Sequence, residues 1–365
     1  MRVLHVSTHM NIGGIGSYIL SLAKALKKKG VDVIVASSGG DLEPELLRSG
    51  IRHIRLDIRT KSELSPKVLK SIFTLNNIAR REGVDIIHAH TRVSQVVSFF
   101  SSRLASVPYV TTCHGFFRTR MRKVFDTWGK KVIAISDAVA NHLRDDLGVK
   151  AGRIEVIYSG VDIGFFSKEY SAAEREEIKK SLGLGPGPIA GSIGRLSPVK
   201  GHRFFIEAMC GVIARTPSAE ALIAGSGPEE ASLKQFVKSL GFDDRVHFER
   251  PNTDTRKLLA VMDVFVFPSV KEGLGIGLLE ALCAKKACVG TDIGGIKDII
   301  DDGVNGILVP SGDISAMSKA ITGLFNDEKK RSLIAERGQK SVRDRFSLDD
   351  MASGVIRLYE DVLKG

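Results

Sequence analysis

Cysteine is scarce. The chain has four in 365 residues, Cys113, Cys210, Cys283 and Cys288. They are scattered and form no Cys-x-x-Cys, so neither a disulfide framework nor a zinc knuckle is indicated. No apolar run approaches the ~20 residues needed to span a bilayer. The first residues, MRVLHVSTHMN, read as a charged start followed by a short strand, not as a secretory leader. Low-complexity and disordered stretches are lacking as well. Hydrophobic residues make up 43% and charged residues 26%, so the chain can bury a sizeable core. The length suits two domains better than one. These features together suit a large cytosolic enzyme.

The charge is unevenly placed. The whole chain carries +11. Residues 1–166 hold 25 Lys+Arg against 14 Asp+Glu, which accounts for all of it, and the remainder is balanced. A basic half attracts phosphates, nucleic acid or an anionic membrane surface; it also fits a solvated surface with no specific partner.

Short β-branched runs alternate with helical segments through the first half. Strands are expected at Val3–Ser7, Val31–Ala36, His53–Leu56, Asp85–Ala89, Tyr109–Thr112, Val132–Ile135 and Ile154–Tyr158. Helices are expected between them at Ser17–Lys28, Pro66–Arg81, Ser94–Ala105 and Ala138–Leu147. Continuous apolar strands imply burial on both faces, and the alternation implies a parallel, doubly wound α/β sheet. A charged stretch, Ser167–Lys180, ends in GLGPGP and reads as a linker. The alternation then restarts, with strands at Ile189–Ile193, Ala221–Ala224, Val246–Glu249, Val264–Phe267, Ala287–Gly290 and Gly306–Val309. The helices of this half are Arg203–Ala214, Glu229–Leu240, Thr255–Met262, Gly277–Ala284 and Ile314–Phe325, with an amphipathic Leu348–Leu363 closing the chain. The expected organisation is two Rossmann-like domains, 1–166 and 167–346, with the closing helix 347–365 packing back on the first. A ligand cleft is expected at the carboxyl ends of the strands.

The segment EGLGIGLLEAL, Glu272–Leu282, carries the sharpest chemistry. It follows the strand Val264–Phe267 and turns helical after Gly275. Amides of Gly275, Ile276 and Gly277 at a helix start face an anion, helped by the helix dipole. Glu272 and Glu280 lie a little over two turns apart and can flank one ligand by accepting hydrogen bonds from its hydroxyls. Arg195 and Lys200 in GRLSPVKG open another helix after a strand. One offers a planar fork for phosphate oxygens and the other a mobile point charge. Gly13 and Gly14 follow the first strand, but their spacing does not fit G-x-G-x-x-G and no acid ends the second strand, so a dinucleotide site is not supported. His114 lies just past a buried strand. His88 and His90 share one face of another and could be two metal ligands, without an evident third.

Eight motifs in order resemble the retaining glycosyltransferases of family 4, whose fold is the two-domain GT-B arrangement. They are NIGGIGSY (11–18), DIIHAH (85–90), TTCHG (111–115), VIAIS (132–136), VIYSGVD (156–162), GRLSPVKG (194–201), AGSGP (224–228) and EGLGIGLLE (272–280). The resemblance covers nearly the whole chain. It implies transfer of a sugar from a nucleotide-diphosphate sugar, held mainly by the second domain, to a glycan or lipid-linked acceptor, with retention at the anomeric carbon and no cofactor. By the same resemblance Arg195 and Lys200 hold the diphosphate, Glu280 the ribose and Glu272 the donor sugar. His114 approaches the donor sugar, His90 the acceptor, and the loop at Gly13–Gly14 borders both. No Asp-x-Asp occurs, so the metal-holding carboxylate pair of the other major glycosyltransferase fold is missing and metal independence is expected.

The versions HAHTRVSQ and TTCHGFF are similar to those of lipopolysaccharide and other cell-envelope enzymes. FFRTRMRK (Phe116–Lys123) and the basic helix Pro66–Arg81 suit docking at the inner face of the cytoplasmic membrane or a phosphorylated glycan core. The chain departs from the family at Ser159, in AKKACV (284–289), where Lys285 replaces a helix-ending glycine, and in ERPNTD (249–254), which leaves UDP, GDP and ADP open. Rival readings are a GT-B sugar-nucleotide epimerase, a dinucleotide-dependent oxidoreductase and a non-catalytic basic binding protein. The last explains the charge but not Arg195, Lys200, Glu272 and Glu280 together, and no specific nucleic-acid partner is expected.

Overall fold

The computed structural model describes residues 1–60, 62–117, 126–250 and 255–365. The expectations on residues 118–123 of FFRTRMRK and 251–254 of ERPNTD lie outside these.

The chain divides into two compact units, Met1–Gly160 with Leu348–Gly365, and Val161–Ser347. In the first unit the strands are β1 (Arg2–Val6), β2 (Asp32–Ser37), β3 (Arg52–Arg55), β4 (Ile86–Ala89), β5 (Tyr109–Cys113), β6 (Val132–Ala134) and β7 (Ile154–Val156). They form one parallel sheet in the order β3-β2-β1-β4-β5-β6-β7. Chain order reverses between β1 and β4, so this is the sheet's switch point, where loops diverge and ligands seat in open α/β folds. β4, β5 and β6 are buried along their whole length, the polar His88, Thr111 and Thr112 included. The helix Leu348–Lys364 packs on the helix Gly14–Lys28, and Lys29 bonds Asp349 at 2.7 Å.

The second unit holds β8 (Ile189–Ile193), β9 (Glu220–Ala224), β10 (Val246–Glu249), β11 (Val264–Phe267), β12 (Ala287–Thr291) and β13 (Ile307–Val309). They also form a parallel sheet, ordered β10-β9-β8-β11-β12-β13, with its switch point between β8 and β11. A core of Phe205, Met209, Val264, Val266, Met317 and Ile321 lies between this sheet and its helices.

Three helices correct the sequence reading. The supposed linker contains the helix Ala172–Ser181, opened by a capping box: the Ser171 hydroxyl accepts from the Glu174 amide, and Glu174 accepts from the Ser171 amide at 2.8 Å. It buries no residue, so it shows no apolar stripe. The helix Glu328–Arg345 was not anticipated. It buries only Ile334, Ala335, Gly338 and Val342, against the helix Ile276–Cys283. The third, Ala138–Leu147, is a short α-helix, Asp137–Asn141, followed by a π-turn, His142–Asp146.

Candidate functional site

In the second unit, three loops meet at the carboxyl ends of β8, β9 and β11. The loop after β8 carries Gly194, Arg195 and Lys200, and that after β9 carries Gly225 and Gly227. The loops interlock through backbone. A Cβ on Gly225 would strike the Gly194 carbonyl oxygen, and one on Gly227 the Leu196 carbonyl oxygen. Glycine is needed there for close approach. The Leu196 amide donates to Ser226 at 3.0 Å and the Val270 amide to Val199 at 2.9 Å, tying the first loop to both neighbours. Gly201 sits at φ +67 with its α-carbon against the Pro268 carbonyl.

The side chains follow from this frame. Lys200 Nζ forms an ion pair with Glu272 Oε2 and lies 5.2 Å from the centre of the Phe267 ring. The Ser269 hydroxyl donates to the same carboxylate oxygen at 3.3 Å, while Thr291 donates to the Ser269 carbonyl at 2.6 Å. Arg195 is exposed, with no partner among the described residues. Gly275 at φ +111 precedes the helix Ile276–Cys283, and among the described residues no side chain caps it. Gly277 lies over the end of β8, its Cβ position 3.6 Å from the Ile193 carbonyl oxygen. Glu280 is one turn further along and keeps part of its surface accessible. Burial pushes its carboxyl up to about 7, and no donor among the described residues offsets that.

The far end of the helix is held as well. Lys285 takes the left-handed conformation, φ 57, where a glycine would be unstrained. Gln339 donates to the Cys283 carbonyl at 2.8 Å from the unanticipated helix. A cavity of about 280 Å³ adjoins the β9 and β10 loops, lined by Gly225, Glu230, Lys234, Phe248, Glu249 and Arg250.

In the first unit, Gly13 (φ +151) caps the helix Gly14–Lys28, and the space over Gly13 and Gly14 is open. Gly16, which the sequence reading passed over, is the sterically required glycine: its Cβ would strike the Asn11 carbonyl oxygen.

The larger omission is His5. It lies in β1 directly opposite His88 of β4. On that face His5 Nδ1 is 2.8 Å from His90 Nε2, and His90 Nδ1 is 3.3 Å from His114 Nε2. His88 is bonded on both nitrogens, to the Tyr359 hydroxyl at 2.5 Å and the Thr112 hydroxyl at 2.7 Å. Burial drives all four histidines well below the usual range, His5 and His114 to about 3. They are neutral near pH 7. His90 is buried, whereas His114 retains accessible surface.

One nitrogen from each of His5, His88 and His90 falls within 4.8 Å of the others, so the third ligand missing from the sequence reading exists. The chemistry of the set does not favour an ion. Five of the six ring nitrogens already hold hydrogen bonds, and the group contains no carboxylate to offset a buried divalent charge.

Known proteins resemble the chain throughout. The profile of Glycosyltransferase Family 4 matches residues 12–165 and that of Glycosyl transferases group 1 matches residues 174–341. The chain is 29% identical to the lipopolysaccharide core biosynthesis glycosyltransferase LpsE of Rhizobium meliloti, over 98% of each chain. It is 25% identical to the N-acetyl-alpha-D-glucosaminyl L-malate synthase of Bacillus anthracis, covering 98% of this chain and 97% of that one. Among solved structures, Anabaena Alr3699/HepE in complex with UDP and glucose superposes with a TM-score of 0.87 at 24% identity, covering 99% of this chain and 100% of that one. With both units matched in order and two all-parallel sheets, the chain belongs to the GT-B glycosyltransferases, its first unit of Family 4 and its second of group 1.

Proposed function

We propose that the chain is a retaining glycosyltransferase that moves a sugar from a nucleoside-diphosphate sugar to a glycan or lipid-linked acceptor of the cell envelope, lipopolysaccharide first among these. One observation carries the donor site. Arg195, the Lys200–Glu272 pair, the helix start at Gly275–Gly277 and the Glu280 carboxylate converge at one sheet switch point. Arg195 and Lys200 neutralise the diphosphate, with the helix dipole adding to them. Glu280 accepts from the ribose hydroxyls and Glu272 from the donor sugar. The cavity at Phe248 and Arg250 takes the base. UDP is the first nucleotide to test, because the HepE neighbour was solved with it.

Departure of the nucleoside diphosphate breaks the bond between the anomeric carbon and the phosphate oxygen. The acceptor hydroxyl forms the new bond on the same face, and its proton passes to the departing phosphate. The two cations stabilise the charge that develops there, so side chains do the work a metal would otherwise do. His114 donates to the donor sugar or the diphosphate. Gly13–Gly14 and His90 belong to the acceptor side. The test is release of nucleoside diphosphate from UDP-, GDP- and ADP-sugars, with anomeric configuration read by NMR. Release from one class, abolished in Lys200→Ala and Arg195→Ala, supports the reading; no release from any, in folded protein with acceptor lipid present, refutes it.

The acceptor side suggests a cytoplasmic protein peripheral at the membrane. No helix among the described residues is long and apolar enough to cross one. Leu69 and Phe73 stand exposed on the helix Pro66–Arg81, and Phe100 and Leu104 on the helix Arg92–Ala105, which packs beside it. Lys67, Lys70 and Arg103 share these helices. Exposed apolar side chains with cations on the same helices suit an anionic lipid surface.

A further inference from the structure

We propose that His5 and His90 form a relay that fixes the tautomer of His114, so that His114 presents its Nδ1–H to the ligand side of the first unit. The relay stands on the geometry alone; what His114 then donates to rests on the reading above.

Three imidazoles form a chain running from the buried strand β1 outward: His5 Nδ1 to His90 Nε2 at 2.8 Å, and His90 Nδ1 to His114 Nε2 at 3.3 Å. The His5 and His90 rings lie nearly parallel, 17° apart. Each neutral imidazole has one N–H and one lone pair, so one choice sets every other. In the first arrangement His5 Nδ1–H donates to His90 Nε2, His90 Nδ1–H donates to His114 Nε2, and His114 carries its proton on Nδ1. In the second every bond is reversed, and His114 Nδ1 is a lone pair.

The inner end decides between them. His5 Nε2 is fully buried with no hydrogen-bond partner among the described residues. The first arrangement leaves an idle lone pair there; the second leaves a buried N–H with no acceptor. Orphaned buried donors are the rarer of the two in folded proteins. The surroundings do not reverse this. His88, packed 5.0 Å from His5 between ring centres, has both nitrogens occupied by Tyr359 and Thr112 and offers no lone pair. His114 Nδ1 has no partner among the described residues, and Tyr18 packs edge-on against its ring at 4.7 Å. The chain therefore converts a buried asymmetry into a donor at the carboxyl end of the sheet. His5 and His90 are positioning residues; His114 is the one that would touch ligand. A fixed N–H suits a hydroxyl oxygen or a phosphate oxygen and repels a cation or another donor.

The experiment is long-range 1H–15N correlation NMR of the full-length protein with 15N-histidine, the His114 signals being assigned by their loss in His114→Gln. The Nδ1–H pattern for His114 in wild type is the expected result, and the Nε2–H pattern overturns the relay whatever the enzyme's activity. His5→Asn can still donate to His90 and should keep the Nδ1–H pattern, with kcat/KM for nucleoside-diphosphate sugar close to wild type. At a pH high enough to ionise its buried carboxyl, His5→Asp can only accept, so a folded variant should then switch His114 to Nε2–H and lose about tenfold in kcat/KM, the worth of one hydrogen bond. An unswitched His114 in that folded variant also overturns the proposal. So does one equivalent of bound zinc in wild type that is lost in His5→Asn, which would make the cluster an ion site.

Discussion

Replacing Glu280 by glutamine should stabilise the ligand-free protein while weakening donor binding. The carboxyl titrates at 4.5 when unfolded and is pushed to about 7 by burial in the folded unit. Its folded value is raised, so its contribution to stability is fully present below pH 4.5 and is lost as the pH rises through 7. The full difference corresponds to ~3 kcal/mol at pH 8, at 1.36 kcal/mol for each pH unit. Glu280 keeps some accessible surface, so water recovers part of this and the expected effect is ~1–2 kcal/mol. Glutamine has the same shape and no charge. Glu280→Gln should match wild type at pH 4 and exceed it at pH 8, by roughly 2–8 °C in the unfolding temperature of the second unit. Calorimetry is the suitable probe, because the single tryptophan, Trp128, lies in the first unit and does not report on the second. The binding effect has the opposite sign. A carboxylate accepting ribose hydroxyls contributes ~1.5–3 kcal/mol, so affinity for nucleoside diphosphate should fall by about 10- to 100-fold. Wild-type affinity should itself tighten between pH 6 and pH 8 as Glu280 ionises. A variant less stable than wild type at pH 8, or a difference that does not change with pH, would refute the argument.

Three other outcomes follow from the same geometry. Lys200→Ala strands Glu272 beside Ser269 and removes a phosphate ligand; nucleoside-diphosphate affinity should drop about 10- to 100-fold by calorimetric titration. Gly201→Ala places a Cβ against the Pro268 carbonyl in a left-handed backbone, so urea denaturation should show a loss of ~2–4 kcal/mol. Leu69→Asp with Phe73→Asp puts two anions on the exposed face of the helix Pro66–Arg81, and co-sedimentation with phosphatidylglycerol vesicles at low salt should fall several-fold without a change in unfolding temperature.

The strands were legible because buried parallel strands are written as short runs free of charge: Val264–Phe267 and Ile189–Ile193 end where the structure ends them. Helices with a strong apolar stripe, such as Pro66–Arg81, were equally plain. Glu328–Arg345 was missed because four buried residues in 18 make too thin a stripe, and Ala172–Ser181 because it has none. Its capping box, Ser171 with Glu174, was the available signal. The strand–glycine–helix pattern at Gly275 could be read locally. The pairing of Lys200 with Glu272 spans 72 positions and that of His5 with His90 spans 85. Only the sheet register brings such residues together, so His5 looked like a lone polar residue in an apolar strand.

The central claim is that the β8–β11 switch point of the second unit binds a nucleoside diphosphate. Isothermal titration of the full-length protein with UDP, GDP and ADP, for wild type and Arg195→Ala, tests it most directly. Saturable binding of one of the three at a single site, weakened at least tenfold in the variant, is the predicted result. Folded protein that binds none of them, or binds one equally well without Arg195, would contradict it.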